Sequence, residues 1–324
     1  MNSGTKNTNG LEPGSGISIV VPVYQSEATL SVLYKRLVEA IKDLNPLFEI
    51  ILVDDCSSDG SWIEIERLVS VDSRVHGIRL SRNYGQHNAL LCGVRAARYT
   101  TVVTIDDDLQ NPPEEISKLL AKLDQGYDVV YGTPEREQHG FLRDFASRIT
   151  KLVLQNAMGA ETARKVSAFR VFRTDIRRAF ENYKSPYVSI DVLLTWGTTR
   201  FSTVTVKHQP RFAGESNYTV GKLITHAFNM VTGFSTLPLQ LASLIGFVFA
   251  FFGLIVLGYV LLKYWISGGS VPGFSFLAAI IAIFSGAQLC ALGIFGEYLA
   301  RVHFRTMDRP SYSVRTATKQ PADL

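Results

Sequence analysis

Short runs of apolar and β-branched residues recur along the first part of the chain, each closed by a polar turn. Ile17–Val23 alternates little, as a strand covered on both faces does, Phe48–Val53 and Thr101–Ile105 read as further buried strands, and Val75–Leu80 and Asp128–Tyr131 as a third and a fifth strand. Between the first two runs, Leu30, Leu33, Leu37 and Ile41 fall on one face of a helix, and a further helix reaching about Arg98 follows the third. Strands alternating with helices predict βαβ units in a parallel sheet, with the loops after the strands gathered on one edge. Beyond the polar loop Gly132–Gly140, Phe145, Ile149, Leu152 and Val153 sit at helical spacing between Arg143, Arg148 and Lys151, an amphipathic helix expected to pack on the sheet, with a place at the membrane surface as the alternative. Val166–Phe172 and Phe201–His208 read as further strands, and Gly221–Thr236 as an interfacial helix.

The longest apolar stretches lie near the end of the chain. Ala227–Leu262 and Ile266–Gly296 contain no Asp, Glu, Lys, Arg or His, and each can hold a helix of about 20 apolar residues, enough to cross a bilayer. The expected spans are Leu237–Leu262 and Phe274–Phe295. The connector carries only Lys263 at its edge, whereas Arg301, Arg305 and Arg309 follow the second span, so the positive-inside tendency puts both termini and the large domain in the cytoplasm of an inner-membrane protein. The division expected is a disordered leader (1–16), a cytosolic α/β domain (17–219), an interfacial helix (220–236), two transmembrane helices (237–296) and a cytosolic tail (297–324). The polar leader lacks the apolar core of a signal peptide.

Composition narrows the partners. Among 324 residues the formal net charge is only +4, and no basic segment interleaves with aromatics, which argues against nucleic acid. Cys56, Cys92 and Cys290 show neither paired nor metal-type spacing, in keeping with a reducing compartment.

The candidate chemistry is concentrated in TVVTIDDDLQNPPEE, residues 101–115. A buried strand stops on Asp106, Asp107 and Asp108, and Asn111, Pro112, Pro113 and Glu114 then start a helix. Carboxylates are thereby placed at the carboxyl end of a parallel strand, where open α/β sheets bind ligands. Asp106 and Asp108 can face one Mg²⁺ or Mn²⁺, with Gln110 in reach, because such hard cations take oxygen ligands together with substrate phosphates. A second acidic pair, Asp54-Asp55, ends the second strand and can accept from a base N–H or a ribose hydroxyl. With neither GxxxxGK[ST] nor GxGxxG present, the two pairs describe a nucleotide-diphosphate site of another kind.

These residues carry a resemblance. Ile19-Val20-Val21-Pro22-Val23-Tyr24, Val53-Asp54-Asp55-x-Ser57-x-Asp59-Gly60 and Asp106-x-Asp108-Leu109-Gln110 resemble glycosyltransferase family 2, whose fold is called GT-A. Arg82-Asn83-Tyr84-Gly85-Gln86-His87, Leu109–Glu115, Phe212–Tyr218 and Gly296-Glu297-Tyr298 are similar to its polyprenyl-phosphate group, which includes bactoprenol glucosyltransferases, dolichyl-phosphate mannose synthases and the undecaprenyl-phosphate aminoarabinose transferase. The resemblance runs from about Ile17 to Arg309 and implies a Rossmann-like GT-A domain followed by two membrane helices. It implies that Pro22, Tyr24, Glu27, Asp54, Asp55 and Asp107 lie at the donor nucleotide. Asp106 and Asp108 would be catalytic, holding the metal and diphosphate with Gln110, while Ser167, Arg170, Arg211 and Ser216 would meet the acceptor phosphate, with the Gly214–Tyr218 loop closing over it.

The activity so implied is transfer of one sugar from a nucleotide-sugar, with UDP expected and GDP open, to polyprenyl (undecaprenyl) phosphate, by an enzyme that could form a homo-oligomer. Two departures from the family pattern stand out. Gln25-Ser26 replace the usual Asn-Glu, and no acid precedes Ser167-Ala168-Phe169-Arg170 where the family usually carries an Asp. A phosphate monoester is largely dianionic near neutral pH, its second pKa being about 6, so it needs placing rather than deprotonating. Displacement with inversion and no obligatory base is the expectation, with Asp191 and Glu161 as spare candidates. The alternatives are a processive polysaccharide synthase, although no Gln-x-x-Arg-Trp occurs, and an inactive membrane scaffold.

Overall fold

The structure, a computed structural model, describes residues 15–134, 165–210, 237–267 and 273–318. The chain divides into two compact units, one comprising residues 1–224 with 309–324 and the other 225–308.

The first unit is built on an eight-stranded sheet. Its strands are β1 (Ile17–Val23), β2 (Phe48–Asp54), β3 (Val75–Leu80), β4 (Thr101–Thr104), β5 (Val129–Pro134), β6 (Arg170–Arg173), β7 (Phe201–Val206) and β8 (Val314–Ala317). They lie in the order β7-β5-β6-β4-β1-β2-β3-β8. β4, β1, β2 and β3 run parallel, so the loops that follow them share one edge, as the apolar runs predict. β6 is antiparallel to both β4 and β5. Pro22 is tolerated in the central strand because β1 pairs with β4 only as far as Val20, so no N–H toward β4 is needed beyond it.

Helices cover the two faces. The first is α1 (Glu27–Lys42), whose Leu30, Leu33, Leu37 and Ile41 join Ile19, Val21 and Ile50 in the main core. α2 (Ser61–Val71) and α4 (Ile116–Leu123) add Trp62, Ile65, Ile116 and Leu119 to the same layer. On the other face α3 (Gln86–Ala96) packs on β1 and β2, where Val20 and Val53 meet Gly93. α5 (Ile190–Gly197) packs against α3 on that side. The sequence pattern marks neither α2 nor α5. The 145–153 helix expected from the sequence lies outside the described residues, as do the 220–236 helix and most of the loop after β5.

At the amino-terminal edge of the sheet Glu49 is an acid with a structural task. It is 1% exposed, accepts from Ser18 Oγ (2.7 Å), Arg98 N (2.8 Å) and Arg98 Nε (2.8 Å), and lies 3.3 Å from His76 Nε2. Burial alone would raise its pKa, but these hydrogen bonds outweigh it and bring the value down to about 2.

The segment after the second apolar helix returns to this unit. β8 pairs antiparallel with β3, Thr318 Oγ1 accepts from Gly77 N (2.9 Å), and buried Ser311 accepts from Ser185 N (3.3 Å). The Arg95 guanidinium lies 5.7 Å from the Tyr312 ring. The stretch 297–324, expected as a tail, is thus part helix and part sheet edge. A chain ending at Asp308 is expected to melt several degrees lower, because each lost hydrogen bond contributes about 1 kcal/mol and each kcal/mol moves the midpoint by about 2–4 °C in a domain of this size. Differential scanning fluorimetry in detergent checks this; an unchanged midpoint would show β8 to be dispensable.

The second unit contains α6 (Leu237–Ser267) and α7 (Phe274–Thr306). Pro238–Ile266 and Ile283–Phe304 are long and apolar enough to cross a membrane. Phe247 (76% exposed) and Trp265 (90%) typify their outward apolar surface, while Phe249 and Phe284 meet edge to face at 5.3 Å between the helices. Glu297 and Arg301 pair along α7 at 2.8 Å, one turn apart, which neutralises both charges.

Candidate active site

The carboxyl-terminal edge of the parallel strands is where the backbone departs from ordinary geometry. Gln25, Cys56 and Leu109, after β1, β2 and β4, have φ of 56°, 60° and 61°, a left-handed conformation that non-glycine residues seldom adopt. Such strain gathers where function overrides local preference.

The loops are tied to one another by their acids. Asp107 accepts from Tyr24 N (3.1 Å) and from Ser26 Oγ, which fastens the β1 loop to the β4 loop. Ser26, standing where the family usually has Glu, therefore has a definite partner. Glu27 accepts from Gly60 N (3.0 Å) while its own N–H donates to Asp59 (3.2 Å), which joins the β1 and β2 loops. A Cβ at position 60 would stand 2.5 Å from the Glu27 carboxyl carbon, so any larger residue there would push that carboxylate off the Gly60 N–H. Asp54 is fully buried, accepts from Ser57 N (2.9 Å) and lies 3.1 Å from Arg79 Nε. Asp55 is 3% exposed and accepts from Tyr84 N (2.7 Å) and Gly85 N (2.8 Å). Both acids shape the loops from beneath, whereas Tyr24, 41% exposed, and Glu27, also exposed, are the members of the expected nucleoside set that face outward.

Asp106, Asp107 and Asp108 follow β4 in a turn that leaves each partly open to solvent. Asp106 Oδ1 accepts from Gln86 Nε2 (2.7 Å), and Asp108 Oδ1 accepts from Gln110 N (3.1 Å). Burial raises the Asp106 pKa to about 7, reinforced by the negative charges of Asp108 and Asp107 and opposed by Arg170. Burial likewise lifts Asp107 to about 6, against the hydrogen bonds from Ser26 and Tyr24. Glu49 at the opposite edge, satisfied and strongly acidic, shows how the same fold treats a purely structural carboxylate. Clustered acids with raised pKa at a strand end mark a site.

The sign of the pH effect follows. A carboxyl whose folded pKa lies above its unfolded value of 3.8 stabilises the protein in the protonated form, and that contribution is lost as pH rises through about 7. With divalent ions chelated, Asp106→Asn is therefore expected to raise the melting temperature at pH 8, with the gain disappearing at pH 4. Equal shifts at both pH values would show that Asp106 titrates normally.

The acceptor-side residues expected from the sequence are partly placed. Thr104 pairs with Arg170, and the antiparallel register carries Ala168 and Ser167 along the turn that holds Asp106. Thr104 Oγ1 donates to Ala168 O (2.7 Å), and Ser167 Oγ accepts from Phe169 N (3.2 Å). Arg170 is 1% exposed and its guanidinium donates to Asp191, which also accepts from Tyr131 Oη (3.1 Å). Arg170 thus lies beneath the site as a partnered cation, and Asp191 is engaged twice. Gln209 N donates to Gln110 O (2.8 Å), so the described chain runs beside the acidic turn two residues before Arg211. Arg211, Ser216 and Glu161 lie outside the described residues.

A divalent cation fits the donor set on chemical grounds. Among the described residues no three His, Cys, Asp or Glu side chains are grouped to enclose a metal by themselves. Two carboxylates, with Gln110 beside them, suit a cation such as Mg²⁺ that completes its shell with water and substrate phosphates. Gln86, which contacts Asp106, is a site residue that the chain alone does not single out, although its segment shares in the family resemblance.

Comparison with known proteins agrees with this geometry. Residues 18–180 match the profile described as glycosyl transferase family 2. The undecaprenyl-phosphate 4-deoxy-4-formamido-L-arabinose transferase of Shewanella sediminis is 35% identical over 302 residues, covering 92% of this chain and 91% of that protein. The protein of the same description from Yersinia enterocolitica is 35% identical over 306 residues, covering 92% of each. Among solved structures, glucosyl-3-phosphoglycerate synthase from Mycobacterium tuberculosis, in complex with Mn²⁺, UDP and phosphoglyceric acid, superposes with a TM-score of 0.51 at 18% identity, covering 68% of this chain and 77% of that one. That likeness concerns the GT-A fold. With strand order, acidic turn and whole-chain similarity in agreement, the chain belongs to glycosyltransferase family 2.

Proposed function

We infer that the protein is a membrane-anchored, metal-dependent glycosyltransferase that moves one sugar, with inversion, from a nucleotide-sugar to polyprenyl phosphate. The observation that carries this reading is the pair Asp106 and Asp108 at the carboxyl end of β4, in a chain similar over nine-tenths of its length to undecaprenyl-phosphate sugar transferases. A UDP-sugar is the favoured donor and undecaprenyl phosphate the favoured acceptor.

On this reading Asp106 and Asp108, with Gln110 beside them, hold a divalent cation, Mg²⁺ or Mn²⁺. When bound there, the cation supplies positive charge against the departing nucleotide diphosphate. Tyr24 faces the nucleoside, while Pro22, Glu27, Asp54, Asp55 and Asp107 fix the surrounding loops. Ser167 lies toward the acceptor, the Arg170 charge contributes to the field beneath it, and Arg211 and Ser216 are the further residues that the family resemblance assigns to the acceptor phosphate. The acceptor phosphate, already largely dianionic, attacks C1 of the sugar once these groups align it, without an obligatory base. Asp191 is poorly suited to be one, since Arg170 and Tyr131 occupy it.

Anchoring in the inner membrane through α6 and α7, with catalytic unit and termini cytoplasmic, is supported by two observations. β8 belongs to the same sheet as β1–β7 although both apolar helices intervene, which suits an even number of crossings. Arg301, Arg305 and Arg309 follow the second apolar run.

The test is transfer from radiolabelled UDP- and GDP-sugars to undecaprenyl phosphate in detergent, with Mg²⁺, Mn²⁺ or EDTA. A chloroform-extractable labelled product that disappears with EDTA is expected, and it names the donor. Transfer that continues in EDTA would remove the metal from the mechanism.

A further inference from the structure

Gln86 opens α3 behind a loop held at several points. The two Asp55 oxygens accept from Tyr84 N (2.7 Å) and Gly85 N (2.8 Å), and Asn88 Nδ2 donates to Tyr84 O (2.7 Å). Gly85 has φ 93° and ψ 154°, a conformation that side-chain-bearing residues avoid, and this turn leads directly into Gln86. The buried acid at the end of β2 therefore sets where the Gln86 side chain starts. From there its Nε2 reaches Asp106 Oδ1 at 2.7 Å, twenty positions along the chain.

The acids of the β4 turn are restrained in different ways. Asp107 is tied to the β1 loop, and Asp108 accepts from the backbone N–H of Gln110 in its own turn. Among the described residues, Gln86 is the side chain that donates a hydrogen bond to Asp106. A carboxylate on an unrestrained side chain can rotate and bind a cation through one oxygen or two. A donor fixed on Oδ1 directs the other oxygen at the cation. An amide suits this task because it is neutral: Lys or Arg there would cancel the charge of Asp106 and repel the cation, and Glu would repel Asp106 itself.

We propose that Gln86 is a positioning residue for the divalent cation, holding Asp106 Oδ1 so that the carboxylate coordinates through Oδ2 in a fixed orientation. The proposal rests on Asp106 and Asp108 being the cation ligands. Removing a group that orients a ligating side chain typically weakens metal binding by about 10–100-fold.

The test is a Mn²⁺ titration of the full-length protein in detergent, followed by electron paramagnetic resonance, without nucleotide or lipid. Gln86→Met keeps the length of the side chain and loses its donor; it is expected to raise the Kd for Mn²⁺ by about tenfold or more, with the metal-free melting temperature lowered by no more than about 4 °C, the cost of one hydrogen bond. Gln86→Asn, one methylene too short to reach, is expected to behave alike and is the variant to read if Gln86→Met does not fold. An unchanged Kd in a folded variant overturns the proposal. Asp106→Asn and Asp108→Asn are titrated in parallel. If they abolish Mn²⁺ binding and the Gln86 variants do not weaken it, only the positioning role fails; if they leave it intact, the ligand assignment fails as well.

Discussion

Asp108→Asn is expected to lower sugar transfer by about 10³-fold, the scale on which removing a preorganised electrostatic group acts. The substitution is nearly isosteric. An amide oxygen at this position can still accept from Gln110 N–H, as Asp108 Oδ1 does at 3.1 Å, so the turn is kept and only the charge is lost. Asp106→Asn is expected to act in the same direction, its side-chain oxygen still facing the Gln86 amide. On the proposed mechanism the cost would fall on the departing diphosphate, whose growing negative charge would be met by a weakly held cation or by none. Initial rates with saturating donor, in a divalent-dependent assay, measure the effect. Full activity in Asp108→Asn would refute metal-assisted departure as the source of catalysis.

Asp191→Ala is expected to have the largest effect on stability. Arg170 is 1% exposed, and Asp191 is its anion; the same carboxylate also accepts from Tyr131 Oη. Breaking a buried pair by removing one partner costs about 3–5 kcal/mol, because the remaining charge is left without compensation. At about 2–4 °C per kcal/mol the midpoint should fall by at least about 6 °C. A smaller loss would mean that water reaches Arg170 and that the pair is not closed. The double substitution Arg170→Met with Asp191→Leu then separates structure from chemistry, since an apolar pair of similar volume is often as stable as the ion pair it replaces. If stability and transfer both return, Arg170 serves only the fold. If stability returns without transfer, the Arg170 charge serves the acceptor phosphate, as the resemblance implies.

Much of the site's location is legible in the amino-acid sequence alone. β1, β2 and β4 are strands buried on both faces, and such strands are apolar nearly throughout, so they show in the sequence without knowledge of their partners. Parallel strands end on the same edge of a sheet, and that rule alone brings together the acids after β2 and β4. The two long apolar helices are equally plain, because the thickness of a bilayer translates directly into a number of residues.

What the tertiary structure decided are pairings between polar groups far apart in the chain. β8 is four half-polar residues, Val314–Ala317, with no periodicity to mark it; only the open edge of β3 makes it a strand. Asp54 and Asp55 are legible as an acidic pair at a strand end, but their partners are not: the register of β2 against β3 gives Asp54 Arg79, and the loop after β3 gives Asp55 the Tyr84 and Gly85 N–H groups. Gln86 gains its partner from the packing of α3 beside β1, and Arg170 gains its own from Asp191 in the first turn of α5. Apolar burial is written locally, since each strand or helix must present the right face whatever it meets. A hydrogen bond between side chains depends on two elements arriving within about 3 Å of each other, and that is settled only when the sheet closes around its neighbours.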